Sequence, residues 1–393
     1  MADLTKQILD QAGKGSAGFS EADRSALLQA SRKLSESLEN PVEKLLRLFL
    51  SLYDPIVIRL AVDLNLVDIA LGHGGPISLN ALAKKSGAEA DLLQRMLRIL
   101  VLLDIFAEPS PGIYTTASLA PVFSSASPAT SAAIHLTHMY PGIAAIPEYL
   151  AKTGYKNPTD AHDAPFNLAF DFKGKTYFDL MAQPGNERFA DAFNKTMEMN
   201  KSRDEAKFIN SYPAAERLKQ DDSDRVLFVD IGGNLGHQVR KFAETYPSLA
   251  GKLVLEDLPE VVEQAIDVPS SITKIGHDFF TPQPASVKHA KAFYLRMILH
   301  DWPEKQARSI LSHIVDVMAD DSVVLIHEVI MPEAGVGHQD ATMDWHMFVI
   351  GSLERTEKQW AELGDSVGLK VNGIWWEEAG LGSRGMLELS KKL

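Results

Sequence analysis

Four short apolar runs, Val226 to Ile231, Lys252 to Leu255, Ala292 to Leu295 and Val323 to His327, recur in the second half of this chain with helix-compatible segments between them. A strand covered on both faces reads as an unbroken apolar run, and such strands alternating with helices pair in parallel, so the spacing predicts the parallel sheet of an α/β domain. Two later runs, Lys370 to Trp376 and Gly385 to Leu389, are expected to add antiparallel strands at the edge.

The first half has a different period. Leu45, Leu48, Phe49 and Leu52, and again Leu92, Leu93, Met96, Leu97 and Leu100, recur at three and four residues, which predicts helices. Ser78 is placed to cap a short helix over 79–85. Ile105 to Ala107, a Pro/Gly turn over 109–112 and Tyr114 to Thr116 predict a hairpin, so the segment has the make-up of a winged helix. The expected divisions are a polar helical arm over 1–40, a winged-helix dimerisation domain over 41–125, linking helices over 126–205 and a Rossmann-like domain over 206–393, within a chain of 393 residues that is long enough for two cores.

Winged helices often bind DNA, but here the would-be recognition helix, Asp91 to Leu103, offers only Arg95 and Arg98 among leucines. The formal net charge is −13, and nucleic-acid binding depends on clustered Lys and Arg. The apolar helix is expected instead to be buried at a dimer interface. There is no cysteine, so disulfides and thiolate metal sites are excluded. The N-terminal sequence has no basic stretch followed by an apolar core, and no run approaches 18 apolar residues; a cytoplasmic protein without membrane contact is expected.

The run VLFVD leads into IGGNLGH, which sets Gly232, Gly233 and Gly236 between a buried strand and a helix beginning near His237. Glycines there accept positive φ and let backbone approach a ligand, while the helix start offers unpaired N–H groups. The spacing is not G-x-G-x-x-G, which speaks against a dinucleotide. The second run, LVLED, ends in Glu256 and Asp257, where a carboxylate can accept hydrogen bonds from a ribose diol. Asp278 and Phe279 follow another short run, at GHDFF, with a carboxylate for an adenine amino group and a ring to stack. Either residue alone would be unremarkable.

FYLRMILHDWPEKQA puts His300 and Asp301 directly after a strand, at the edge where open α/β sheets bind ligands. A histidine there can act as a general base if a carboxylate orients its ring, and two are available, Glu328 in VLIHEVI and Glu354 in SLERT. Asp301 to Glu304 also has the form of a capping box, a purely structural use of the aspartate.

From about residue 40 onward these motifs resemble the plant caffeic-acid-type O-methyltransferases, and more closely the fungal secondary-metabolite O-methyltransferases of that family. The likeness rests on LLQRMLRIL, YKNPTD, FNKTM, VDIGGNLGH, EDLPEVVEQA, GHDFF, RMILHDWP, HEVIMPE and ERT. It implies a winged-helix dimerisation domain, a homodimer, a Rossmann-like catalytic domain and S-adenosyl-L-methionine as cofactor. By the same resemblance Asp230, Gly232 and Gly233 hold the methionine part of the cofactor, Asp257 the ribose with Leu258 beside it, and Asp278 and Phe279 the adenine. His300 is the implied base, Glu328 and Glu354 its supporting acids, and Asp301 lies toward the acceptor. Two departures stand out. Arg296 occupies a cofactor position where lysine is more usual, and Asn234 replaces the third glycine of the turn while remaining able to take a left-handed conformation.

The reaction implied is in-line displacement at a sulfonium methyl by a hydroxyl oxygen, with no metal. A phenol of pKa about 10 is little ionised at neutral pH, so a positioned base has work to do. The acceptor is expected to be a small hydroxylated aromatic or polyketide-like molecule, in a pocket drawing on His135, His138, Met139, Phe170, Phe178, Met197, Trp345, Met347 and Phe348. One alternative keeps the cofactor but uses its charge, with His135, His138, Arg203 and Arg296, to steer dehydration or pericyclic closure; the intact HDW segment favours methyl transfer. A DNA-binding regulator is opposed by the acidic charge, and a cofactor sensor by the base with its carboxylates.

Overall fold

A computed structural model describes residues 5–8, 10–11, 15, 18–202, 211–377 and 384–392. The chain divides into two compact units, Met1–Ala126 and Ser127–Leu393. Among the described residues no helix is long and apolar enough to cross a membrane.

The first unit is helical, closed by a three-stranded antiparallel sheet, β1 (Ile77–Ser78), β2 (Phe106–Ser110) and β3 (Ile113–Thr116), in the order β1-β3-β2. Ser78 caps helix Leu79–Ser86 by accepting from the Ala81 N–H, as its position in the sequence suggests. Helix Ala90–Leu102 turns Leu93, Met96, Leu97 and Leu100 into this unit's own core beside Leu66, Ile77, Phe106 and Tyr114. This corrects the expectation that its apolar face is reserved for an interface, since only Leu92 and Leu102 remain exposed on it. The uncovered apolar surface lies elsewhere. Helix Pro41–Leu50, started by an Asn40/Glu43 capping box with proline in its first turn, buries none of its residues; Val42, Leu45, Leu46, Leu48, Phe49 and Leu50 are all exposed.

The second unit is built on a mixed sheet in the order β10-β11-β8-β7-β4-β5-β6. Its strands are β4 (Val226–Ile231), β5 (Lys252–Asp257), β6 (Ile272–Gly276), β7 (Ala292–Arg296), β8 (Val323–Met331), a short β9 (Arg355–Thr356) beside β8, β10 (Leu369–Trp376) and β11 (Arg384–Lys391). β6, β5, β4, β7 and β8 run parallel, and β11 and β10 continue the sheet antiparallel. The four apolar runs are thus the central strands, and the two late runs are antiparallel as expected. Alternate residues feed two cores: Val229, Ile231, Phe293, Leu295, Val324 and Ile326 on one face, and Phe228, Tyr294 and Leu325 on the other. β6 ends at Gly276, the first residue of GHDFF, so Asp278 and Phe279 follow it as expected. As an edge strand it exposes Thr273 and Lys274, which removes the apolar signal.

The chain leaves β4 toward β5 and β6, then returns to the other side of β4 as β7. That reversal sets the topological switch point at the carboxyl ends of β4 and β7, the place where doubly wound sheets take ligands.

Candidate active site

The turn after β4 is bent by left-handed backbone at Gly232 (φ 66°), Asn234 (φ 54°) and Gly236 (φ 78°). Asn234 therefore adopts the conformation that its replacement of a glycine requires. Gly233 is fixed by space: a Cβ there would lie 2.5 Å from Leu255 Cδ1 and 2.7 Å from the Asp230 carboxyl carbon. The N–H groups of Gly232 and Gly233 donate to the Glu256 carbonyl (2.8 and 3.1 Å), pinning the turn to the end of β5. Asp230 is buried and accepts from the Val239 N–H at 3.1 Å, satisfying an orphan donor at the start of helix His237–Thr245.

Asp257 closes the turn from the neighbouring strand, accepting from the N–H groups of Asn234 (2.7 Å) and Leu258 (2.8 Å). Leu258 itself is exposed. Beyond β6, exposed Asp278 accepts from the Phe280 N–H at 2.9 Å, and half-buried Phe279 meets Phe280 and Trp302 edge-on with centroids 5.0 and 6.2 Å apart. Arg296 ends β7, opposite His327 of β8. Glycine turn, Asp257, the Asp278–Phe279 pair and Arg296 thus stand at or just beyond the ends of four adjacent strands, β4, β5, β6 and β7. A hydrogen-bond acceptor for a ribose, an aromatic face, a close-approach backbone turn and a cation in one row fit an amino-acid-bearing nucleoside such as S-adenosylmethionine.

His300 lies in a one-turn helix, Leu299–Asp301, just past β7, and is buried. Its Nδ1 is 2.9 Å from Glu354 Oε1, and its Nε2 is 3.5 Å from Asp301 Oδ1. Of the two carboxylates available to orient the ring, Glu354 touches it. Glu328 instead accepts from the N–H groups of Ile298 and Leu299, both at 2.9 Å, and so holds the backbone that carries the histidine. Burial pulls the imidazole pKa down, but Asp301, Glu328 and Glu354 outweigh it and raise it to about 10. Burial likewise raises Asp301 to about 6 and Glu328 to about 7, against the opposing pull of His300.

The capping box expected from Asp301 and Glu304 does not form. Helix Glu304–Val315 is capped by Pro303 without a side-chain hydrogen bond, because Asp301 is held in the preceding turn and Glu304 accepts from Arg355 Nε at 2.9 Å.

The expected acceptor residues fall into three groups. His135, His138, Met139, Phe170 and Met347 belong to an aromatic cluster with Phe166 and Tyr177; Met139 and Met347 lie in its buried interior. There His138 stacks on Phe189 with centroids 3.9 Å apart, and His135 faces Phe193 and His346. Among the described residues, buried His135 Nδ1 and the Tyr177 hydroxyl have no hydrogen-bond partner. Burial, aided by His346 and His138, lowers the His135 pKa to about 4. Phe178 is in the second group, packed 5.3 Å from Trp302 under the His300 turn. Trp345 and Phe348 form the third, 5.1 Å apart, with Trp345 exposed. Phe348 lines a cavity of about 220 Å³ together with Asp344, Glu354, Met331 and Val336. Met197 is half-buried on helix Glu187–Ser202, which packs against helix Pro128–His138. Arg203 lies outside the described residues.

Sequence reasoning missed Trp302, Tyr177 and Arg355. It also missed a buried chain in which the Tyr294 hydroxyl meets His327 Nδ1 at 2.9 Å and His327 Nε2 meets Glu377 at 2.7 Å. ERT and HEVIM contain two of these residues, but their partners are remote in sequence.

Residues 157–370 match the O-methyltransferase domain family, and residues 46–126 match the O-methyltransferase dimerisation domain. Methyltransferase cfoC of Aspergillus candidus is 32% identical over 362 residues, 91% of this chain and 88% of the relative. Demethylsterigmatocystin 6-O-methyltransferase of Aspergillus parasiticus is 32% identical over 316 residues, 80% of this chain and 79% of the relative. Two solved structures, one described as a pericyclic reaction enzyme and one as LepI in complex with SAM, superpose with TM-score 0.84 at 28% identity over 100% of both chains. With the family match spanning more than half its length, the chain belongs to the S-adenosylmethionine-dependent O-methyltransferases.

Proposed function

We propose that this enzyme methylates a hydroxyl of a small aromatic or polyketide-like metabolite with His300 as general base. One observation carries the reading: the imidazole is fixed through Nδ1 by Glu354, which leaves Nε2 to take a proton. Glu328 supports the base through its backbone, and Asp301 sits on the acceptor side of the ring. Asp230, Gly232, Gly233, Asp257, Leu258, Asp278, Phe279 and Arg296 would hold the cofactor; when bound, S-adenosylmethionine supplies a methyl group on a cationic sulfur. Residues 41–125 serve dimerisation, 126–205 the acceptor pocket and 206–393 the cofactor.

The hydroxyl proton passes to Nε2 as the oxygen becomes nucleophilic. Buried Glu328 and Glu354 and half-buried Asp301 around one imidazole keep the ring protonated up to about pH 10 in the free protein, so methyl transfer is expected to rise toward alkaline pH. His300→Ala should lower transfer of labelled methyl to a panel of phenols about 10² to 10⁴-fold while S-adenosylhomocysteine binds as in the parent. Undiminished transfer would remove His300 from the chemistry.

A cofactor-assisted pericyclic reaction is the second reading, favoured by the likeness to a pericyclic reaction enzyme and by buried His135 in the aromatic cluster, whose Nδ1 meets no hydrogen-bond partner among the described residues. Turnover of a substrate without uptake of labelled methyl would decide for it.

A further inference from the structure

The turn bearing His300 presents four successive carbonyls, and all four are taken by one short segment fifty residues later. The Ser352 hydroxyl donates to the Asp301 carbonyl, the Leu353 N–H to the His300 carbonyl at 3.3 Å, and Arg355 to both remaining ones, Nη1 to Leu299 at 2.8 Å and Nη2 to Trp302 at 2.9 Å. Glu354, between them, holds the imidazole itself. Arg355 has no exposed surface; its Nε donates to Glu304, and its guanidinium lies 5.0 Å from the centroid of the Trp360 ring. β9, which begins with Arg355, pairs with the end of β8, the strand that carries Glu328.

From this we infer that Arg355 is a positioning residue for the catalytic base: it sets the His300 turn at the height where the ring meets Glu354. The proposal rests on the reading of His300 as the base. A buried guanidinium is costly, and one charged partner on a half-exposed glutamate compensates it only in part. What the charge obtains in addition is a planar fork that spans the turn from Leu299 to Trp302. A lysine ammonium is a point donor on a flexible stem and cannot span both carbonyls and Glu304 in one plane. Without the fork the turn can lift, and the Nδ1 contact opens first because it closes at the centre of the span.

The test compares Arg355→Lys and Arg355→Met with the parent in protein labelled with 15N-histidine, the His300 signal being identified by its loss in His300→Gln. Both variants are expected to bind S-adenosylhomocysteine within about threefold of the parent, which also shows that they are folded. The His300 midpoint is expected to drop from its alkaline value toward the ordinary histidine range of about 6.5. With the phenol that accepts most label, kcat should fall about 10- to 100-fold while the acceptor KM stays near the parent value, the effect of a displaced reacting group. A parent-like His300 midpoint and kcat in Arg355→Lys would overturn the assignment, and that variant alone decides if Arg355→Met does not fold. The imidazole titration does not depend on what His300 does in turnover. An active His300→Ala would therefore refute the base and leave the clamp still tested.

Discussion

Gly233 sits where a side chain would collide with Leu255 and with the Asp230 carboxyl group, both of which are themselves packed in place. Gly233→Ala is expected to cost about 1–3 kcal/mol in thermal denaturation, the range for overpacking, and to weaken S-adenosylhomocysteine binding by displacing the turn. A variant that melts and binds like the parent would show that the turn yields freely. At the base, Glu354→Gln removes one of the negative charges that raise the His300 pKa. The rising limb of the kcat/KM profile should move to lower pH; a limb that stays in place belongs to the acceptor hydroxyl instead. His300 and Asp257 were legible in the sequence because each ends or follows an apolar run, where a polar side chain has no core role; Glu354 stood only as one of two candidates beside Glu328. Arg355 was not, since all that explains it is a set of carbonyls on a turn distant in sequence. Asp301 misled because three-residue spacing to Glu304 is the same in a capping box and in this turn.

Helix Pro41–Leu50 was visible from its leucine spacing, but periodicity marks an apolar face without naming what covers it. In this protein helix Ala90–Leu102 turned its own stripe inward, and Pro41–Leu50 was left bare, with Leu52 and Tyr53 extending the surface. An exposed patch of that make-up, running into the dimerisation-domain match that begins at residue 46, is where a second copy is expected to dock. Leu45→Asp combined with Phe49→Asp is expected to give monomers in sedimentation velocity while helix content is retained; an unchanged mass would move the interface elsewhere. The central strands read clearly because both faces are buried. β6 did not, since its outer edge faces water and accepts lysine and threonine.

Across the whole molecule the buried titratable groups pull in opposite directions. His300 is raised from 6.5 to about 10, so its folded-state charge stabilises fully below pH 6.5, and that contribution is lost as pH climbs to about 10. His135 is lowered to about 4, so the unfolded chain binds its proton first and stability falls as pH drops from 6.5 toward 4. Thermal stability of the unliganded protein should therefore fall between pH 7 and 10. His135→Phe should flatten the acid side without altering the alkaline one; an equal acid slope in both proteins would assign that limb to other groups.

The bare leucines and phenylalanine of Pro41–Leu50 also make dilution a thermodynamic variable. If two copies cover that surface only in the folded state, mass action ties resistance to heat to how much protein is in the tube. The melting temperature would then climb with each tenfold increase in concentration.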